Sequence, residues 1–486
     1  MTRPAYPQVK KLVTVDQFRA RLDELAIDLP TVEQPSSGPD SPLAQPLDVV
    51  GRRAGNRFAV LPMEGWDGTS DGRPTDLVRR RWQRFGRSGA KLIWGGEAVA
   101  VDPGGRANPN QLSIHTDGHG EALDELRRSL ISAHHEAGLD TDDLVVGLQL
   151  THSGRFSRPS EDGPEPIIVE RHPVLDARLP YGRPVEVISD ERLDELGQSY
   201  VAAAVRAAEA GFDFVDIKAC HGYLGHELLG AVDRPGRYGG DLDGRSNLLC
   251  TVVAGIQRQA PALGVGVRLS LFDFVPFSRG ADGVGEPDEL GEAPYRHAFG
   301  GDSTGLGIDL TEPIQLIDRL AGWGVNAVCV TAGSPYYVPH VQRPAWFPPS
   351  DGYQPPEDPL VGVARLIGTA AELKRARPDT LVVGSGYSYL QEWLAHVAEP
   401  VVAQGWADSV GVGRMVLSYP ELACDVLAGR PLDRRRICRT FSDCTTAPRA
   451  GLVSGCYPLD DHYKESPARH ELAAVKASIR KEAAGR

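Results

Sequence analysis

The chain has 486 residues, 41% hydrophobic and 24% charged, with a mean hydropathy of −0.26, the composition of a soluble globular protein with room for one large domain or two. Its 52 basic against 65 acidic residues leave a net charge of −13, which disfavours nucleic acid and anionic membrane as partners. No apolar run reaches the roughly 20 residues of a spanning helix, the start MTRPAYPQVKKLVTVDQF lacks the apolar centre of a signal peptide, and seven mostly isolated cysteines read as reduced thiols; the cytoplasm is the expected compartment.

Residues 1–50 predict an N-terminal extension with one helix-like stretch, VDQFRARLDEL, and a Pro/Ser-rich linker near 34–46. Eight short apolar runs follow, at 57–62, 91–97, 144–150, 213–217, 264–270, 325–331, 380–384 and 408–412. Helical patterns come after them near 75–87, 118–138, 190–210, 244–259, 312–323, 361–376, 388–403 and 418–428. In the third, Leu193, Leu196, Tyr200, Ala203 and Ala207 recur at the spacing of a buried helix face. Eight strand–helix units argue for an α/β fold, a (β/α)8 barrel over residues 51–430, against an open doubly wound sheet. Gly95 and Gly96 interrupt the second strand. Residues 275–308 form a long Gly-rich excursion after the fifth strand, expected to be a lid or substrate loop. Residues 431–486 form a tail with three cysteines and a charged terminal helix. The sequence GSGYSY at 384–389 has Tyr389 where a dinucleotide fingerprint needs its third glycine, so no dinucleotide domain is expected.

The fourth run carries the densest chemistry. FVDIKACHGYL, residues 214–224, ends an apolar strand on Lys218, His221 and Tyr223, where barrel enzymes keep their catalytic groups. Polar residues at the other strand ends are Met63–Glu64, Glu97–Ala98, Gln149 with His152, Arg268, Tyr336–Tyr337, Ser385–Gly386–Tyr387 and Gly413–Arg414. All would converge on one mouth. Gly386–Tyr387 and Gly413–Arg414 make the usual barrel phosphate site of backbone N–H groups and one fixed cation. Gln149 offers a donor and an acceptor, and Arg268 a central charge, which together suit a flat, phosphate-bearing heterocycle.

The segments NRFAVLPM (56–63), EAVAVDPGGR (97–106), GLQLTHSGR (147–155), HGYLGHELL (221–229), RYGGDLDGR (237–245), VRLS (267–270) and GVGRM (411–415) resemble, in order, those of the old yellow enzyme and 2,4-dienoyl-CoA reductase group of FMN-binding barrel oxidoreductases. The resemblance spans about residues 50 to 430. It implies FMN against Pro62, Met63 and Ala98, with Gln149 on the pyrimidine edge and Arg268 near N1/O2. Gly386, Tyr387, Gly413 and Arg414 would take the phosphate. The bland reading of Gln149 and Arg268 is a polar pair that closes the barrel core.

On the substrate side the resemblance implies that His221 polarises a substrate oxygen and Tyr223 delivers a proton. Lys218 stands where the family keeps a second clamp, His or Asn. A lysine there favours an anionic or strongly polarised substrate, or else pairs with a rim carboxylate. His152 either lines the pocket or caps its loop. Tyr336 and Tyr337, with Trp346, either wall the substrate or pack their own loop. Multidomain relatives carry an iron–sulfur motif where this tail has Cys438, Cys444 and Cys456. Phe441 occupies the second cysteine position, so no cluster is expected. The leading expectation is an FMN-dependent, single-barrel enzyme that uses NAD(P)H to reduce an activated C=C bond of a small molecule, with a homo-oligomer allowed. An amine dehydrogenase or N-demethylase, and a flavin-binding protein with an inactive substrate site, are the alternatives.

Overall fold

The computed structural model describes residues 6–179, 185–290 and 294–484. Eight parallel strands close on themselves: β1 Phe58–Val60, β2 Leu92–Ile93, β3 Val145–Thr151, β4 Phe214–Ala219, β5 Gly264–Ser270, β6 Ala327–Thr331, β7 Leu381–Gly384 and β8 Ser409–Val412. Each pairs with the next, and β8 returns to β1 through Val410↔Phe58 and Val412↔Val60. The helices that follow in turn are α1 Asp76–Gly86, α2 Asp117–Glu136, α3 Asp190–Glu209, α4 Leu242–Gln259, α5 Thr311–Gly322, α6 Pro359–Ala376, α7 Leu394–Ala403 and α8 Leu422–Leu427. This is the (β/α)8 barrel that the strand–helix alternation requires.

Local chemistry sets these boundaries. Ser189 accepts from Arg192 N–H to start α3, and Asp241 accepts from Gly244 N–H at 2.9 Å to start α4. Leu193, Leu196, Tyr200, Ala203 and Ala207 all lie buried on the inner face of α3. Inside the barrel, Trp94 meets Phe214 edge-on at 5.2 Å, in a layer with Leu92, Val145, Ala327 and Val383. Truncating such a core tryptophan costs about 3–5 kcal/mol. The antiparallel pair Leu47–Val49 and Arg52–Ala54 joins this layer.

The second strand is cut short for a steric reason. A Cβ on Gly96, which has φ +55°, would lie 2.5 Å from the Trp82 ring. Its carbonyl is free to accept from Met63 N–H at 3.0 Å, which ties the end of β1 to that turn. The helix expected over 388–403 divides in two. A 3-10 stretch, Tyr387–Trp393, precedes α7, and Gln391 breaks the run at φ 56°.

Two peripheral segments depart from expectation. The excursion at 275–308 forms the antiparallel pair Phe277–Arg279 and Gly285–Pro287, and none of its described residues lines the main cavity. It is pinned elsewhere: Arg178 pairs with Asp288, and His172 Nε2 lies 2.9 Å from Tyr295 Oη. The tail does more than trail the barrel. Ala447, Tyr457, Tyr463 and Leu472 form their own small core, and Arg80 of α1 holds Asp460 through two 2.8 Å hydrogen bonds.

Candidate active site

A cavity of about 320 Å³ opens at the C-terminal mouth of the barrel. Of the residues expected there, Pro62, Met63, Gln149, Lys218, His221, Tyr223, Arg268, Tyr336, Gly386, Gly413 and Arg414 line it. Four others do not. Ala98 pairs with Gln149 in the sheet and its carbonyl accepts from Gln111 Nε2 at 2.9 Å. His152 caps its own loop, accepting from Gly154 N–H through Nδ1 at 3.1 Å, and burial pushes its pKa down to about 4. Tyr337 turns away and donates to Asp273. The Tyr387 ring is buried against Gly384 and faces away from the cavity. Trp346 likewise bonds outside the cavity, its indole N–H donating to Tyr6 O at 3.2 Å.

The strand-four cluster is gathered by one sharp turn. His221 has φ 65°, a left-handed conformation that costs a non-glycine residue energy and persists only when its surroundings impose it. Its N–H donates to Ser270 Oγ at 3.2 Å, and the next N–H, of Gly222, donates to His226 Nδ1 at 2.8 Å. The imidazole Nε2 then sits 3.2 Å from both Thr331 Oγ1 and Gln342 Nε2. Burial, with Arg268 and Lys218 nearby, holds its pKa well below the usual histidine value, so the ring is neutral.

Tyr223 donates its hydroxyl proton to Glu64 Oε2 at 2.6 Å and lies 2.8 Å from Tyr336 Oη. Desolvation, then the Glu64 charge, raises its pKa well above that of a free phenol. Lys218 Nζ rests 3.6 Å above the centre of the Tyr223 ring, with Glu64 Oε2 3.8 Å away, beyond hydrogen-bond reach. Desolvation lowers the lysine pKa against the pull of Glu64. The two readings of Lys218 therefore meet: it faces a carboxylate, and it also lines the cavity.

Asp216 and Glu64 had no role assigned from sequence. Asp216, buried in β4, accepts from Gln149 Nε2 at 2.5 Å, and desolvation raises its pKa to about 6 against that bond and the Arg268 charge. A lone acid inside an apolar strand was the available signal. Tail residues Cys444, Thr445, Arg449 and Cys456, and the β6-loop residues Gln342 and Arg343, also reach the cavity; the two cysteines stood out in the sequence for another reason, and nothing local marks the rest.

The donors suit FMN. Arg268 keeps Nε buried without a partner while Nη1 donates to Pro62 O at 3.2 Å, and Arg414 keeps Nη1 buried without one. A Cβ on Gly413 would meet nothing within 4 Å, which leaves a cradle beside the Arg414 guanidinium. Anionic oxygens are what such donors lack. The tail brings Cys438, Cys444 and Cys456 near one another, three thiols against the four of a cluster. Phe441 packs on Phe347 at 5.2 Å where a ligand is needed, and Cys438 N–H donates to Met415 Sδ. Among the described residues no group of three His, Cys, Asp or Glu is set to hold a metal ion.

A barrel mouth that gathers unpartnered arginine donors, an amide and a Lys–His–Tyr cluster is the arrangement of a (β/α)8 enzyme. Residues 42–286 match the NADH:flavin oxidoreductase / NADH oxidase family, and the chain belongs to it, as an FMN-dependent NAD(P)H oxidoreductase of the old yellow enzyme type. It is 29% identical over 390 residues to an NADPH dehydrogenase of Bacillus subtilis, covering 78% of this chain and 93% of that one. In fold it is similar to a 2-naphthoyl-CoA reductase (TM-score 0.64, 17% identity, 87% of this chain but only 57% of that one). It is also similar to an old yellow enzyme homologue from Zymomonas mobilis (TM-score 0.56, 20% identity, 80% and 94%). No helix among the described residues is long and apolar enough to cross a membrane.

Proposed function

We propose that this enzyme reduces an activated C=C bond, using NAD(P)H as donor and Tyr223 as the acid. The observation that carries the reading is the Tyr223 hydroxyl at the cavity wall, bonded to Glu64 and Tyr336 and next to His221 and Lys218. FMN, when bound, supplies the two-electron store that carries hydride from NAD(P)H to the β-carbon. The chain does the rest. Gln149 and Arg268 orient the pyrimidine edge, and Gly386, Gly413 and Arg414 hold the phosphate. Neutral His221 polarises the substrate carbonyl by a hydrogen bond rather than by charge, and Lys218 adds the cation. The proton leaves Tyr223 Oη for the α-carbon and is replaced along the Tyr336 hydroxyl.

The amine-oxidising alternative is disfavoured by the cavity's charge. Beyond the two arginines that serve the cofactor, Lys218 and Arg343 line it with Glu64 as the nearby acid, and a protonated amine would face two cations against one carboxylate. The test is anaerobic. The flavoprotein is bleached with NADPH and then mixed with a cyclic enone, and in a second run oxidised protein is mixed with a methylamine. Recovery of flavin colour by the enone supports the reading; bleaching by the amine with no enone response overturns it.

A further inference from the structure

Cations crowd the cavity wall, and most of them are matched. Arg80 and Arg84 face Asp460 at 2.8 and 3.7 Å, Arg449 holds Asp351 at 3.1 Å, and Lys218 faces Glu64 at 3.8 Å. Arg81 holds Asp67 at 2.7 Å. Among the described residues, Arg268, Arg343 and Arg414 alone line the cavity with no carboxylate within 4 Å; Asp216 acts on Arg268, and Asp351, the partner of Arg449, acts on Arg343 from farther away. A cofactor with one pyrimidine edge and one phosphate accounts for Arg268 and Arg414. Arg343 is left over.

Arg343 is also the arginine whose place is tied to the substrate clamp. The preceding residue, Gln342, puts Nε2 3.2 Å from His221 Nε2. Thr445 of the tail accepts from Arg343 Nη1, which fixes the guanidinium while Nη2 is buried without a partner. Desolvation and the neighbouring Arg414 push its pKa down to about 9, still protonated at neutral pH. A fixed, desolvated cation with a spare donor, crowded by another cation, is stabilised by an anion.

We propose that Arg343 is an anion post of the substrate site, and that the substrate is an activated alkene that also carries a carboxylate. The idea rests on the reading above, with the carbonyl oxygen at His221 and the carboxylate a few bonds away at Arg343. The planar guanidinium offers its free N–H edge to the two carboxylate oxygens.

The test uses a cyclohexenone bearing a carboxylate, its methyl ester, and the saturated counterpart of each as a non-reacting probe. FMN-loaded protein is titrated with the saturated pair, and flavin absorbance shifts give each Kd. The wild type is expected to bind the acid about 10- to 100-fold more tightly than the ester, the range of a hydrogen bond to a charged group. Arg343→Gln should erase that ratio with FMN content unchanged, and Arg343→Lys should keep part of it. A wild type with no preference for the acid overturns the proposal. So does an Arg343→Gln protein that sheds FMN while the ratio stands, because Arg343 then serves the cofactor phosphate. If Arg343→Gln does not fold, a ratio in Arg343→Lys equal to wild type also overturns it. Failure of either enone to be reduced, with an Arg343-dependent ratio still present, sinks the ene-reduction reading and leaves the anion post standing.

Discussion

Replacing Tyr223 with Phe removes one oxygen and nothing else. The ring is 2% exposed and stays packed under Lys218, so the fold survives. The lost hydroxyl had donated to Glu64 at 2.6 Å and neighboured Tyr336 at 2.8 Å. Losing a hydrogen bond to a charged group costs about 1.5–3 kcal/mol of stability, a measurable fall in Tm. The kinetic cost falls on one half-reaction. A positioned general acid is worth about 10²- to 10⁴-fold, roughly 3–5 kcal/mol of barrier. Stopped-flow mixing separates the steps: NADPH should bleach the flavin of the Tyr223→Phe protein at close to the wild-type rate, while enone reoxidises the reduced protein at least about 100-fold more slowly. Reoxidation within about threefold of wild type would refute Tyr223 as the acid.

Lys218→His restores an uncharged clamp and should shift preference from strongly polarised or anionic acceptors towards neutral enones by about tenfold in kcat/KM; an unchanged substrate ratio would make the lysine scaffold. Asp216→Ala frees Gln149 from its 2.5 Å bond and should weaken FMN binding about 10- to 100-fold, read by fluorescence on cofactor release. Asp273 is buried behind the strand-four turn with its pKa raised to about 7 from 3.8. A raised acid stabilises the fold fully below the unfolded pKa and loses that contribution as pH rises through the folded one, so stability should decline between about pH 4 and 7. Asp273→Asn should flatten this limb and gain Tm relative to wild type at pH 8 but not at pH 5, by thermal melts.

The barrel was legible because its signal is local. Each of the eight strands lies within or beside its apolar run, and the five-residue stripe on α3 is buried as its spacing requires. The cavity cluster Lys218, His221 and Tyr223 was legible for the same reason, since three reactive groups fall within six positions of one strand end. Side-chain direction was not. His152, Tyr337 and Tyr387 stand at the right strand ends, but a neighbouring donor, acceptor or packing hollow turns each aside. Glu64 was visible as a strand-end acid, yet its bond to Tyr223 spans 159 positions and has no local trace. The tail wall was hidden by the same distance, and the lid expected at 275–308 packs on the far side of the Gly222 turn.

Arg80 and Asp460 stand 380 positions apart, and their bidentate contact fastens the tail over the cavity. Its consequence is one of timing. The barrel's first helix depends on an acid 380 positions later, so this wall of the chamber cannot close until both segments are in place. A barrel lacking the tail would present a cationic mouth with Arg80 and Arg84 unmatched and Arg343 without its Thr445 bond. Because Arg80 and Asp460 both line the cavity, loosening that one contact would open the chamber at its side.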